Sequence, residues 1–378
     1  MQLSQTIKLY PTKQQIVLIN ATMHTYVATV NSLVNTATRG TSIAEFTSKN
    51  VSAELPSALI NQCIRDAKSI IKKHYKACHK IILKNRSLVK KGLEAKTKAP
   101  RLPIVKKPCC YINNQNFKIS DANIEFPVKI NGKTQRLSVA TLMSDTQKKN
   151  LSNAKLGTMR IVKKNNFIVA QIVYEVAEPQ LKTDGNVIGV DLGIKCPAVS
   201  YTSDKHIRFY GNGRKNKYIR RHFDKLRRKL QKSKKSKTLK RINNKEQRII
   251  KDIDHKISRE IVNEAKSHNV KVIKLEQLTN IRSTTRKSRK NNHSLHNWSF
   301  YRLAMFIKYK AKLEGISVEF VNPAYTSQKC PICGSVHHAQ DRNYSCSCGY
   351  HAHRDVLGAY NICNSTEHVG GSNTRHAA

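Results

Sequence analysis

The stretch VIGVDLGIK at 187–195 decides how the rest of the chain reads. Val187 to Val190 are small or apolar, as in a strand buried on both faces, and the run ends on a carboxylate, Asp191. The same form returns at 270–276, where VKVIKLE ends on Glu276. Between them lie two further strand-like pieces, Pro197 to Tyr201 and Ile207 to Tyr210, and later another, Ser317 to Val321. A third acid, Asp355, opens a short helix that runs to Cys363. Strands alternating with helices indicate an α/β domain, and neighbouring strands would bring the three acids together. A nuclease that works with two divalent ions needs such a set, with the ions about 4 Å apart. Mg²⁺ favours oxygen ligands of this kind. Singly, each acid has an ordinary reading: Asp191 as a turn cap, Glu276 as a partner of a Lys, Asp355 as a helix N-terminal acid.

Acids are scarce here, which makes their placement informative. The 378 residues carry 69 Lys and Arg against 24 Asp and Glu, a formal net charge of +45 with a pI near 10.1. Such a chain repels itself unless a polyanion balances it, and nucleic acid is that polyanion. Solubility requires far less charge. No amphipathic anchor or lipidation motif points to a membrane, and the longest apolar runs, such as Ile16 to Ile19, are too short to span one. The opening MQLSQTIKLYPTKQQ lacks the apolar core of a signal peptide, so a cytoplasmic location is expected.

In that compartment the ten cysteines read as thiols or zinc ligands rather than disulfides. Cys330 and Cys333 form C-x2-C; Cys346 and Cys348 form C-x-C, followed by Gly349. Two such knuckles make a tetrahedral site of four cysteines, closed and therefore structural, for Zn²⁺. Any of His337, His338, His351 or His353 could stand in for a cysteine at the shorter knuckle. The other six, Cys63, Cys78, Cys109, Cys110, Cys196 and Cys363, read as buried or incidental thiols, and the adjacent Cys109 and Cys110 lack metal spacing.

Outside this core, 39% hydrophobic content supports folded domains. Pro11, Thr12 and Gln15 suggest a strand entering a capped helix, and Ile16, Ile19, Met23, Tyr26, Val30 and Leu33 recur at helical spacing. Leu59, Cys63, Ala67, Ile70, Ile71 and Cys78 mark a second helix. A proline-containing linker is expected over 84–108, then β-hairpins from Phe126 to Val176 turning at Asn131-Gly132 and Asn165-Asn166. Between Arg214 and Arg248 stand 17 Lys and Arg and two acids; two antiparallel helices are expected there, breaking near Ser233 to Ser236 and gripping phosphate. The basic loop IRSTTRKSRKNNHS at 281–294, beside Trp298, Phe300, Tyr301 and Tyr309, reads as a lid over the acids that contacts phosphate rather than bases.

Several strings carry a resemblance. GVDLGIK (189–195), VIKLEQL (272–278) and HRDVLGAYNI (353–362) resemble the three RuvC motifs of transposon-encoded TnpB proteins. YTSQKCPICG (325–334) and YSCSCGYHAHRD (344–355) resemble that family's zinc ribbon, and KLYPTKQQ (8–15) its N-terminus. His353 and Leu357 depart from the family's more usual DRDxNAA. The resemblance implies an RNase H-like (RuvC) core over 186–325 and 350–364 with an inserted ribbon at 326–349. It also implies a β-barrel-like wedge domain (1–12 and 100–183), a helical recognition insertion (13–99) and a disordered tail (365–378). The implied activity is RNA-guided DNA cleavage related to type V CRISPR effectors. Guide RNA from the flanking locus and double-stranded DNA would be partners of a monomer. Asp191, Glu276 and Asp355 match the catalytic, Mg²⁺- or Mn²⁺-binding acids, with Asp191 bridging the ions, and Arg342 matches an Arg that assists them. Sequence readout would fall to base pairing, which suits a chain rich in phosphate-binding side chains. Two rivals stay open: an unguided nuclease of the same fold, and a guided repressor without cleavage.

Overall fold

The structure is a computed structural model that describes residues 1–38, 42–95, 98–164, 167–278, 295, 298–339 and 341–366. The turn expected at Asn165-Asn166, the lid loop at 281–294 and the tail from 367 lie outside the described residues. The chain divides into two compact units, Met1–Ala177 and Glu178–Ala378.

In the first unit, β1 (Gln2–Tyr10), α1 (Lys13–Thr38) and α2 (Ser57–Lys90) precede β2 (Cys109–Ile112), β3 (Lys118–Ile119), β4 (Asn123–Ile130) and β5 (Lys133–Thr141). Then follow α3 (Asp145–Ser152), β6 (Leu156–Lys164) and β7 (Phe167–Glu175). The strands form one seven-stranded antiparallel sheet in the order β2-β6-β7-β1-β5-β4-β3. The N-terminal strand thus completes the sheet from its middle. Thr12 and Gln15 cap α1 reciprocally, Gln15 N donating to Thr12 Oγ1 (3.3 Å) and Thr12 N to Gln15 Oε1 (3.0 Å). Asn131 and Gly132 both take positive φ (48° and 76°) and close the β4–β5 hairpin. Ile19, Met23, Tyr26, Val30 and Leu33 are buried as the helical spacing requires, but Ile16 is exposed. Two expectations need correction. Helix α2 runs on to Lys90, so the linker begins later than residue 84; unbroken basic helix formers carry the helix past its last buried contact at Ile71. Helix α3, held by a Ser144–Gln147 capping box, was not anticipated.

The second unit contains β8 (Asn186–Asp191), β9 (Ala198–Thr202), β10 (Ile207–Tyr210), α4 (Gly213–Lys232), α5 (Ser236–Ile242) and α6 (Lys245–Ser267). It continues with β11 (Val270–Glu276), α7 (Phe300–Leu313), β12 (Ser317–Val321), β13 (Asn343–Ser345), β14 (His351–His353) and α8 (Arg354–Asn364). Five strands form a mixed sheet, β10-β9-β8-β11-β12, antiparallel across β10, β9 and β8 and parallel across β8, β11 and β12. The basic stretch forms three helices rather than two: the break at 233–235 is present, and a second at Asn243-Asn244 separates α5 from α6. Two successive Asn, poor in helix interiors, account for that second break. Both acids of the stretch are engaged, Asp224 by Arg227 (2.5 Å) and Glu246 by Arg227 (2.7 Å) and Arg220 (3.6 Å).

Strand alternation sorts the two faces of this sheet. Ile188, Val190, Ile273 and Leu275 face a core closed by Ile257 and Ile261 of α6 and Ile307 of α7. Gly189, Asp191, Lys274 and Glu276 occupy the opposite face. That face receives α8, which packs on β8, β9 and β11.

Candidate active site

Parallel pairing of β8 with β11 matches Val190 to Leu275, so the next residues of each strand, Asp191 and Glu276, stand side by side. Asp355 comes from the first turn of α8, where it is buried. Gly189 makes room for that helix. A Cβ on Gly189 would lie 2.2 Å from the carbonyl oxygen of Ala359 and 2.3 Å from the amide nitrogen of Cys363, both backbone atoms of α8. Gly358 of the same helix lies against the Asp191 carboxylate, where an added Cβ would make an ordinary contact at 3.4 Å. Lys274, neighbour to Gly189 across the strands, donates to the carbonyls of Cys363 (3.0 Å) and Ser365 (2.8 Å) and so caps α8 at its far end. A glycine inside an apolar strand marks such close approach. With that reading, Gly189 could have been singled out from sequence.

The site concentrates negative charge. Burial first, then the Glu276 and Asp355 carboxylates, push Asp191 well above the ordinary carboxylate range, against the pull of Arg354 and Arg342. Burial also raises Glu276, opposed by a hydrogen bond from Thr326 and by Arg354. Arg342 Nη1 donates to both carboxylate oxygens of Asp355. The Arg354 amide donates to the Arg342 carbonyl at 2.7 Å. His353 caps α8 by accepting from the Asp355 amide at 3.3 Å.

Between β12 and α8 lies the four-cysteine segment. Cys330 Sγ is 3.6 Å from Cys348 Sγ, and Cys333 Sγ is 3.4 Å from Cys346 Sγ. Sulfurs about 2.3 Å from a tetrahedral zinc stand roughly 3.8 Å apart, so the set fits that ion. The Ser335 hydroxyl and backbone hold the Cys333 thiol down at about 6, toward the thiolate that a metal requires. Among the described residues, only these four cysteines gather three or more His, Cys, Asp or Glu ligand atoms all within 4.8 Å of one another. The histidines weighed as substitutes are therefore not needed. Leu357 of α8, fully buried, completes a small core with Cys330, Tyr344 and Cys346, so the departure from the family's Asn joins the helix to the ribbon.

The three carboxylates adjoin without gathering as tightly as the sulfurs, and Asp355 is clasped by Arg342. Hard oxygen donors, crowded and repelling one another, are the donor set that Mg²⁺ or Mn²⁺ would relieve, so the residues fit a divalent ion. Sequence reasoning missed Thr326 and Arg354. The first sits in the YTSQ string just ahead of Cys330, and the second directly precedes Asp355.

Comparison with known proteins places these features. A family profile described as "Probable transposase" matches residues 171–282, and one described as "Cas12f1-like, TNB domain" matches residues 300–362. A TnpB-like protein of Methanocaldococcus jannaschii is 33% identical over 252 residues, covering 62% of this chain and 88% of that protein. The CRISPR-associated endodeoxyribonuclease Cas12f1 of Sulfoacidibacillus thermotolerans is 37% identical over 113 residues, 29% of this chain and only 25% of that longer protein. In fold, the chain is similar to Cas12f1 solved by cryo-EM in complex with its single guide RNA and target DNA. The TM-score is 0.67 at 12% identity, covering 97% of this chain and 99% of that one. The expected α/β architecture, an RNase H-like (RuvC) core with an inserted cysteine ribbon and a wedge-like β domain, is therefore the observed one. Among the described residues no helix is long and apolar enough to cross a membrane.

Proposed function

From the premise that this chain belongs to the TnpB-like family, we propose that it is an RNA-guided, divalent-metal-dependent DNA endonuclease. The juxtaposition of Asp191 and Glu276 at the ends of adjacent parallel strands, with Asp355 brought to them by α8, carries the reading. Asp191, Glu276 and Asp355 would hold Mg²⁺ or Mn²⁺. Ions bound there supply activation of water and charge stabilisation on the leaving 3′ oxygen. Asp191, raised by burial and then by the Glu276 and Asp355 carboxylates, gains most from a cation and anchors the site. Arg342 holds the Asp355 carboxylate in place and keeps a positive charge beside the position where phosphate charge builds up. Cys330, Cys333, Cys346 and Cys348 would hold Zn²⁺, which would fix the ribbon that carries Arg342.

The strongly basic chain supports nucleic acid as its partner, and guide RNA with double-stranded DNA is the pairing that the family suggests. We assign the wedge to 1–12 and 100–183, recognition helices to 13–99, nuclease to 186–325 and 350–364, and the ribbon to 326–349. A monomer inside the cell is expected to carry one guide. To test this, the protein is expressed with its flanking DNA, purified in high salt, and its bound RNA sequenced. One dominant RNA from the flanking locus, directing cleavage of matching DNA that Asp191→Ala abolishes, is expected. Random RNA or none, with DNA still cut, would instead establish the unguided nuclease. Guided binding without any cutting would establish the repressor.

A further inference from the structure

We infer that Thr326 and Asn361 are positioning residues that join the root of the cysteine ribbon to Glu276 and set how tightly the carboxylates bind a divalent ion. Thr326 lies in the turn that leaves β12 and enters the ribbon, where it is buried. Its hydroxyl donates to Glu276 Oε1, with the Pro323 carbonyl as a more distant acceptor at 3.3 Å. A hydroxyl has one proton, and the charged carboxylate is the stronger acceptor. The hydrogen bond therefore selects one orientation of the Glu276 carboxylate on the face shared with Asp191.

Asn361 fixes Thr326 in turn. From the third turn of α8, its Nδ2 donates to the Thr326 carbonyl (2.7 Å) and to the Lys329 carbonyl (2.9 Å). Lys329 immediately precedes Cys330, whose own amide donates to the Ser335 carbonyl at 2.8 Å within the first knuckle. One amide group thus spans the whole turn between the acid's hydrogen-bond donor and the first cysteine. The same helix carries Asp355, and the Tyr344 hydroxyl braces the turn from the ribbon side by donating to the Gln328 carbonyl (3.1 Å). Glu276 and Asp355 therefore share one support: α8 delivers Asp355 directly and Glu276's partner through Asn361. Partners that orient metal-binding carboxylates typically alter metal affinity about 10- to 100-fold when removed.

This inference rests on the proposed metal-dependent nuclease, and its test separates the two. The probe is Mn²⁺, titrated into the zinc-loaded full chain and followed by the loss of the free-ion paramagnetic resonance signal. Zinc content and melting temperature are measured alongside. Thr326→Val keeps the shape and removes the donor; Thr326→Ser keeps the donor; Asn361→Leu removes the tie to the turn. Asp191→Asn is the control for the site itself. We expect Thr326→Val and Asn361→Leu to weaken Mn²⁺ binding about tenfold or more, with zinc content unchanged. Thr326→Ser should stay within about twofold of the native protein, since the donor is kept. Native Mn²⁺ affinity in Thr326→Val, or a Thr326→Ser variant as weak as Thr326→Val, overturns the positioning role and leaves the nuclease reading standing. If Asp191→Asn also binds Mn²⁺ like the native protein, it is the nuclease reading that fails.

Discussion

Replacing Gly189 by Ala tests whether the close approach of α8 to β8 builds the site. The added Cβ would stand 2.2 Å from the Ala359 carbonyl oxygen, whereas real Cβ contacts essentially never fall under 3.0 Å, so α8 must withdraw by at least 0.8 Å. All three atoms that it meets within 3.0 Å are backbone, so no rotamer change relieves the clash, and trimming Cys363 to Ala does not rescue it. Overpacking of this kind costs about 1–3 kcal/mol, or more where backbone must move. For a unit of this size that lowers the melting temperature by roughly 2–12 °C. The larger effect falls on activity. Asp355 rides on α8, and a displacement near 1 Å at a reacting centre can cost about 100-fold in rate. Single-turnover cleavage of matched DNA by the RNA-loaded protein, set beside a melting curve, reads both quantities. A Gly189→Ala protein that melts and cuts like the native one would refute the argument that this glycine positions Asp355.

Three further outcomes follow from the same geometry. Asp191→Asn should raise the melting temperature of protein without added divalent ion. The folded-state pKa of Asp191 lies above its ordinary value of 3.8, so its ionisation destabilises the fold as pH rises through that window. The gain should therefore vanish toward pH 4 and grow as pH rises above it; a gain that persists in acid would contradict the assigned burial and repulsion. Cys330→Ser should bind no zinc by elemental analysis and cut poorly, because Arg342 and Asp355 both depend on the ribbon; a zinc-free variant with native cleavage would break that link. Finally, if the basic helices contact six or more phosphates, log affinity for duplex DNA should fall with log salt at a slope of about −5 or steeper. A slope near −2 would argue against the electrostatic account of the +45 charge.

Much of the site is legible in the sequence itself. Asp191 and Glu276 end apolar runs, and the cysteine spacing names a tetrahedral site, because strand periodicity and knuckle spacing are properties of a few consecutive residues. The Asn131-Gly132 turn and the Thr12–Gln15 cap are readable for the same reason. The second break in the basic helices and the length of α2 are not, since a stretch rich in Lys and Arg offers few apolar residues from which to judge where a helix stops.

What only the tertiary structure decided are relations between residues distant in sequence. Sequence alone could not say that β1 would lie between β7 and β5, or that Val190 would pair with Leu275 and so bring Asp191 beside Glu276. Nor could it say that Arg342 would clasp Asp355, or that Thr326 would turn its hydroxyl to Glu276. A carboxylate at a strand end is written in local pattern, but its charge state and partners are set by what packs against it through space. Here that is α8 settling onto Gly189, a contact made possible by an absent side chain.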